Sequence, residues 1–143
     1  MKIKDIMTKT VASVNPEDSV ERAAKVMREY NIGAIPVCNG EEVVGILTDR
    51  DIVLRSSADG QNANNQKVRG IMSSNPVLGT PDMEVKDAAR IMSERQIRRL
   101  PIIENRNLVG MVSLGDIAVQ PHADSEAGKA LTNISEPCSP ELS

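Results

Sequence analysis

The stretch GILTDRD, Gly45 to Asp51, reads as the end of a strand running into the start of a helix, and GMVSLGD repeats it at Gly110 to Asp116. Both obey the pattern G-x-x-[ST]-x-x-D. A glycine inside an apolar strand weakens packing and marks the close approach of a ligand or of another backbone. The hydroxyl suits a helix N-cap, and the carboxylate three residues on can accept from a free amide at the positive end of the helix. The same atoms also suit a ligand. A hydroxyl at a helix start can donate to a phosphate, and a nearby carboxylate can accept from both hydroxyls of a ribose. Capping and ligand binding are compatible, so the motif by itself leaves both open.

Working outward, a shift of 65 positions lays Lys2–Arg55 over Lys67–Gln120 without a gap. About 15 of the 54 aligned positions are identical, the mark of an internal repeat. DIMTKTVASVNPEDSVERAAKVMREYNIGAIPV lies over GIMSSNPVLGTPDMEVKDAARIMSERQIRRLPI. Two copies are too few for a solenoid, so a pseudo-symmetric pair burying a shared face is expected. The chain divides into repeat 1 (1–55), a polar, turn-rich linker SSADGQNANNQ (56–66), repeat 2 (67–120) and a polar tail (121–143). In the tail, Asp124 or Ser125 can cap a short helix near 125–134 that carries Ala127, Leu131 and Ile134, and the closing SEPCSPELS reads as disordered.

Each copy parses into the same elements. Val11–Val14, like Val77–Leu78, predicts a short strand, and Pro16 and Pro81 mark the turn after it. Asp18 with Glu21 predicts a capping box for a helix whose buried stripe is Val20, Ala23, Ala24 and Met27, repeated as Val85, Ala88, Ala89 and Met92. The methionines on that stripe read as core filling. Ala34–Cys38 turns at Asn39-Gly40 into Val43–Thr48, and Leu100–Ile103 precedes Leu108–Ser113, two predicted hairpins. A final helix opens at the motif and holds Ile52, Val53 and Leu54. The order is strand-helix-strand-strand-helix twice over, an α/β (α+β) fold of two repeats packed as one module.

Composition narrows the function. Apolar residues make up 40% of the 143, but Tyr30 is the single aromatic, so the core must be built from Ile, Val, Leu, Met and Ala. A net charge of −3 and the lack of stacking side chains speak against nucleic-acid binding. Cys38 reads as a small core residue and Cys138 as a tail thiol, not as a disulfide framework. MKIKDIMTKT has no signal-peptide pattern and no apolar run could span a membrane, so a cytoplasmic protein is expected. His122, the sole histidine, lies outside the repeats. No nucleophile–histidine set and no metal-ligand spacing appears, so no enzyme is expected.

The proline of AIPV or RLPI followed by G-x-x-[ST]-x-x-D, in two copies, resembles a pair of cystathionine-β-synthase (CBS) domains, a Bateman module, over Lys2–Gln120. The tail SEAGKALTNISEP also resembles an extension on small stand-alone bacterial members. The resemblance implies a regulatory module that binds an adenine nucleotide (AMP, ADP or ATP, less so S-adenosylmethionine) in the cleft between repeats. It implies a homodimer, no required cofactor, and an effector protein as a possible partner. By the family's geometry, Thr48 and Asp51 share a cleft with IRRLP, so that Ile97, Arg98 and Arg99 border the ligand and the two arginines take its phosphate. Arg50 lies beside that site as an assistant or as a solvated residue. Ser113 and Asp116 meet Gly33 and Ala34, which offer no charge, and this second site is expected to be weak or empty. Against the phosphate role stands pairing of the arginines with Glu94 or Glu104. Against the nucleotide role stands a dimerisation or interaction module that docks on an effector and binds no nucleotide.

Overall fold

Val20, Ala23 and Met27 wind residues Val20–Tyr30 into helix α1, with Val26 as the fourth buried side chain where the stripe predicted Ala24. The computed structural model describes residues 1–121 and 124–136. The predicted Asp18–Glu21 box is replaced by Ser19, whose hydroxyl accepts from the amide of Arg22 at 3.0 Å. Asp18 lies one residue too early to cap. Its carboxylate instead accepts from the amide of Asn15 at 2.9 Å and closes the turn around Pro16. The helix ends at Asn31 in the left-handed region, φ 53°.

The first strand of each copy contracts to a single bridge, Val14 beside Val37 and Gly79 beside Ile102, both parallel. Past Val14 the amide of Asn15 is taken by Asp18 and Pro16 has none, so the pairing does not run on beyond the bridge. Strands β1 (Ala34–Asn39) and β2 (Glu42–Thr48) form the predicted antiparallel hairpin, with a register shift at Val37/Cys38 and Gly40 at φ 65° in the turn. Helix α2 (Asp49–Ile52) is one turn long and passes into a π turn over Val53–Ser57. Val53 and Leu54, expected in one continuing helix, fall in this π turn and are 58% and 48% exposed.

In the second copy helix α3 spans Val85–Arg95, with Val85, Ala88, Ala89 and Met92 buried. Strands β3 (Arg99–Glu104) and β4 (Asn107–Ser113) turn through Asn105 and Arg106, both at positive φ, the geometry of a two-residue hairpin. Helix α4 covers Leu114–Ala118 and helix α5 Asp124–Ser135. Glu42 pairs antiparallel with Asn107, giving the strand order β1-β2-β4-β3. His122, Cys138 and the tail from 137 on lie outside the described residues.

The two compact units of the chain are not the two sequence repeats. One consists of Thr10–Val77 with Ile103–Leu108; the other of Met1–Lys9, Leu78–Ile102 and the described residues from Val109 on. Each unit contains the leading segment of the other copy. In the unit of α1, the core of Val20, Met27, Ile35, Val37 and Leu47 is completed by Val68 and Ile71. The linker contributes as well, because the amides of Val20 and Glu21 donate to the carbonyls of Gln66 and Ala63 at 2.9 and 3.1 Å. In the unit of α3, Ile3 is fully buried, and its amide donates to the carbonyl of Met83 at 2.9 Å. Lys2 pairs with Glu84 there at 3.3 Å.

This exchange accounts for the two strand glycines. Ser73 and Ile46 exchange backbone hydrogen bonds, and a Cβ at Gly45 would lie 2.7 Å from the carbonyl oxygen of Ser73. Thr8 and Met111 do the same in the other unit, where a Cβ at Gly110 would lie 2.6 Å from the sulfur of Met7 and 3.0 Å from the carbonyl oxygen of Thr8. The close approach is another backbone.

Gly45→Ala is expected to destabilise by about 2 kcal/mol, because a backbone oxygen must shift, and Gly110→Ala by less, because a flexible methionine meets the methyl first. Urea unfolding of both variants checks the order. Glu84, hydrogen bonded to Lys2 and to the amine of Met1, is held below the ordinary carboxylate range. Its contribution is present above that range and lost as pH falls through it. Protection factors of the Ile3 and Val85 amides against hydrogen exchange are therefore expected to fall on acidification below about pH 4, and Glu84→Gln to remove that dependence.

Candidate functional site

Thr48 ends β2 and caps α2. Its hydroxyl oxygen accepts from the Asp51 amide at 3.1 Å, and a carboxylate oxygen of Asp51 accepts from the Thr48 amide at 2.9 Å. Ser113 and Asp116 form the same box on α4, at 3.1 and 2.8 Å. The capping half of the motif is thus present in both copies, and it leaves atoms over. Each hydroxyl proton remains available to donate, and each carboxylate keeps a second oxygen. In Asp51 that oxygen faces the Arg55 guanidinium at 3.9 Å. In the second copy Gln120 stands where Arg55 does, and its amide donates to the backbone carbonyl of Asp116 at 3.4 Å. The second oxygen of Asp116 has no partner among the described residues.

A further bond ties each motif to the segment before its own copy's first hairpin strand. The Asp49 amide donates to the carbonyl of Gly33 at 2.9 Å, and the Leu114 amide to that of Arg98 at 2.8 Å. The two corners built this way carry opposite charge. At the first, the carboxylate of Asp49 lies so close that a Cβ on Gly33 would be 3.0 Å from it. Ala34, half-buried, follows as the first residue of β1. At the second corner, Arg98 is exposed and Arg99 half-buried, and Ile97 anchors them through its amide bond to Met92 at 3.0 Å. Neither arginine has a carboxylate within ion-pair distance among the described residues, so the expected alternative of pairing with Glu94 or Glu104 is not realised.

A cavity of about 560 Å³ opens at this second corner. Arg98, Arg99, Ser113, Leu114 and Gly115 line one side of it, and Ala127, Gly128 and Leu131 of α5 line the other. The structure thus brings Arg98 and Arg99 together with Ser113 of their own copy, whereas Thr48 and Asp51 belong to the other unit. Arg50 borders a shallower hollow of about 440 Å³ with Asp49, Val53 and Leu54. Sequence reasoning missed the wall supplied by α5 and the acid at Asp49. A glycine in the middle of the tail helix was the available signal for the first.

Chemically, the second corner can hold an anion with an organic body. Volumes of 300–1,000 Å³, in round terms, suit small organic ligands. The Cys38 thiol is buried, and burial pushes its pKa up despite a hydrogen bond with Ser13, so it is no ready nucleophile. Among the described residues no three His, Cys, Asp or Glu side chains converge to hold a metal ion, and no helix is long and apolar enough to cross a membrane.

Comparison with known proteins agrees with this fold and motif. The CBS domain family matches residues 3–57 and 68–120, and the chain belongs to that family, with two CBS domains. It is 47% identical to the CBS domain-containing protein YhcV of Bacillus subtilis, over 93% of this chain and 94% of that one. It is similar to a crystal structure of Hypoxic Response Protein I with two coordinated zinc ions, with a TM-score of 0.79 and 33% identity, covering 85% of this chain and all of that one. Curated hypoxic response protein 1 is from Mycobacterium tuberculosis and is 34% identical, over 96% of this chain and 94% of its own length. The CBS domain pair of protein MJ0100, crystallised with 5′-methylthioadenosine and S-adenosyl-L-methionine, is 28% identical with a TM-score of 0.74, covering 82% of this chain and 97% of that one.

Because the boxes cap their helices, Thr48→Ala and Ser113→Ala are each expected to cost about 1 kcal/mol of stability. Thr48→Ser and Asp51→Asn, which keep the acceptors, should cost less. Urea unfolding distinguishes the two sets.

Proposed function

We propose that this CBS pair is a regulatory, non-catalytic module of the cytoplasm that binds an adenosine nucleotide, AMP, ADP or ATP, through Thr48, Asp51, Arg98 and Arg99. The observation that carries the reading is a pair of guanidiniums with no carboxylate partner among the described residues, on a cavity large enough for a small organic anion. Arginine is the side chain suited to phosphate, through fixed, permanently charged donors. An aspartate that has used one oxygen in its cap still has the other for a ribose hydroxyl. The adenosine ligands of the MJ0100 domain pair support the chemical class. The first corner, with Asp49 beside Gly33, repels phosphate, which supports one strong and one weak site. Ile97 and Arg50 border the strong site; Asp116, Gly33 and Ala34 belong to the weak one, and Ser113, expected there, lines the arginine cavity instead.

A nucleotide changes the state of such a module only by preferring one arrangement of it. The reading therefore includes a listener, an effector protein, and a homodimer as the working form. Exposed Tyr30, Val53 and Leu54 supply apolar surface for an association of this kind. The competing reading, a docking module that binds no nucleotide, assigns the motifs to capping alone.

Isothermal titration of nucleotide-stripped protein with AMP, ADP, ATP and S-adenosylmethionine tests the proposal. About one site per chain is expected, lost in Asp51→Ala and kept in Asp116→Ala. Loss of one charge-assisted contact in Arg98→Ala or Arg99→Ala should weaken binding by about 2 kcal/mol, roughly thirtyfold. At 100 times its Kd the ligand should add about 2.7 kcal/mol to stability. No heat and no thermal shift with any of the four would leave the docking module standing.

A further inference from the structure

Helix α5 carries a glycine that its own packing does not explain. Glycine is the least favourable helix-interior residue after proline, and Gly128 lies between the two buried contacts of α5, Ala127 and Ala130. A Cβ built on Gly128 meets no atom within 4 Å. No neighbouring backbone requires the missing side chain, and the position opens onto the arginine cavity. Gly115 in α4 is a second case. Its Cβ would meet nothing closer than the Ser113 hydroxyl at 3.6 Å, an ordinary contact, and it lines the same cavity. Two helical glycines on one cavity, neither required by protein packing, keep space free beside two guanidiniums that have no ion-pair partner among the described residues.

Helix α5 packs against α3 and α4. Ala127 and Ala130 are buried, Asn133 donates to the hydroxyl of Ser93, and the Gln96 amide donates to the carbonyl of Asn133 at 3.1 Å. These contacts fix α5 against α3 and leave Gly128 and Leu131 facing the cavity. Leu131 is 47% exposed, an apolar side chain with an open face.

We infer that α5 is one wall of the ligand site: the anionic group of the ligand meets Arg98 and Arg99, and its organic body lies on α5 over Gly128 and against Leu131. This rests on the nucleotide reading above and extends it, because it assigns a part of the chain outside both repeats to recognition of the nucleoside. A Cβ at residue 128 enters this space without meeting protein within 4 Å.

The test is titration of wild-type protein, Gly128→Leu and Asp51→Ala with AMP, ADP and ATP, with thermal unfolding of each and amide NMR of the wild type. Gly128→Leu is expected to keep or raise the melting temperature, since leucine favours helix, and to weaken nucleotide binding at least tenfold. The Gly128 and Leu131 amide resonances of the wild type should shift along the binding curve. Should Gly128→Leu dislodge α5 and lower the melting temperature, the wild-type resonances decide alone. Affinity within twofold of wild type in Gly128→Leu, or stationary Gly128 and Leu131 resonances, would overturn the role of α5. If Asp51→Ala abolishes binding in that case, the nucleotide reading survives. Binding lost in Gly128→Leu but intact in Asp51→Ala would keep the wall and remove Asp51 from the site. No binding of any nucleotide to the wild type overturns both.

Discussion

Ser73 and Ile46 exchange backbone hydrogen bonds across a strand position where residue 45 has no side chain. Thr8 and Met111 do the same across Gly110. At 2.7 Å a Cβ and a carbonyl oxygen cannot coexist, so the first contact requires glycine at residue 45; at Gly110 a Cβ would lie 3.0 Å from the Thr8 carbonyl oxygen and 2.6 Å from the flexible Met7 sulfur, a tighter fit than a methyl allows without a shift. These contacts hold the leading segment of each copy in the unit of the other. Ile3, Val68 and Ile71 then complete cores that the repeats do not complete from their own contiguous sequence. The linker is drawn in by the same arrangement, because its carbonyls receive the first amides of α1.

Duplication gives the two copies the same scaffold and leaves their corners free to differ. Both boxes, Thr48–Asp51 and Ser113–Asp116, have matching geometry, because a capping box depends on residue type and spacing alone. What surrounds them does not match. Asp49 and Gly33 occupy the places of Leu114 and Arg98, and Arg55 that of Gln120. One corner therefore presents a carboxylate and the other two guanidiniums without carboxylate partners among the described residues. The scaffold conserves backbone hydrogen bonds, and the exposed side chains set the sign of the charge.

Five glycines of this chain fall into three physical kinds. Gly45 and Gly110 admit a backbone. Gly40 adopts φ 65° in a hairpin turn, a conformation that L side chains rarely adopt. Gly115 and Gly128 meet neither condition and border a cavity. All look alike in sequence, and the strand glycines, read there as possible signs of a ligand, are explained by packing.

The sequence by itself determined the repeat, the helical stripes, the hairpins, the caps at Thr48 and Ser113 and the family, because each depends on spacing between neighbours or on a motif carried whole. It misplaced the cap of α1, where Ser19 rather than Asp18 stands next to the first helical residue. It also extended a strand over Val11–Val14, where the structure has a single bridge at Val14. Only the tertiary structure decided which copy each leading segment completes, which charges at the arginine corner have no ion-pair partner among the described residues, and that α5 walls the cavity there. These rest on contacts between residues far apart in the chain. Spacing along one segment carries no information about which distant backbone fills the space above a glycine, or leaves it open.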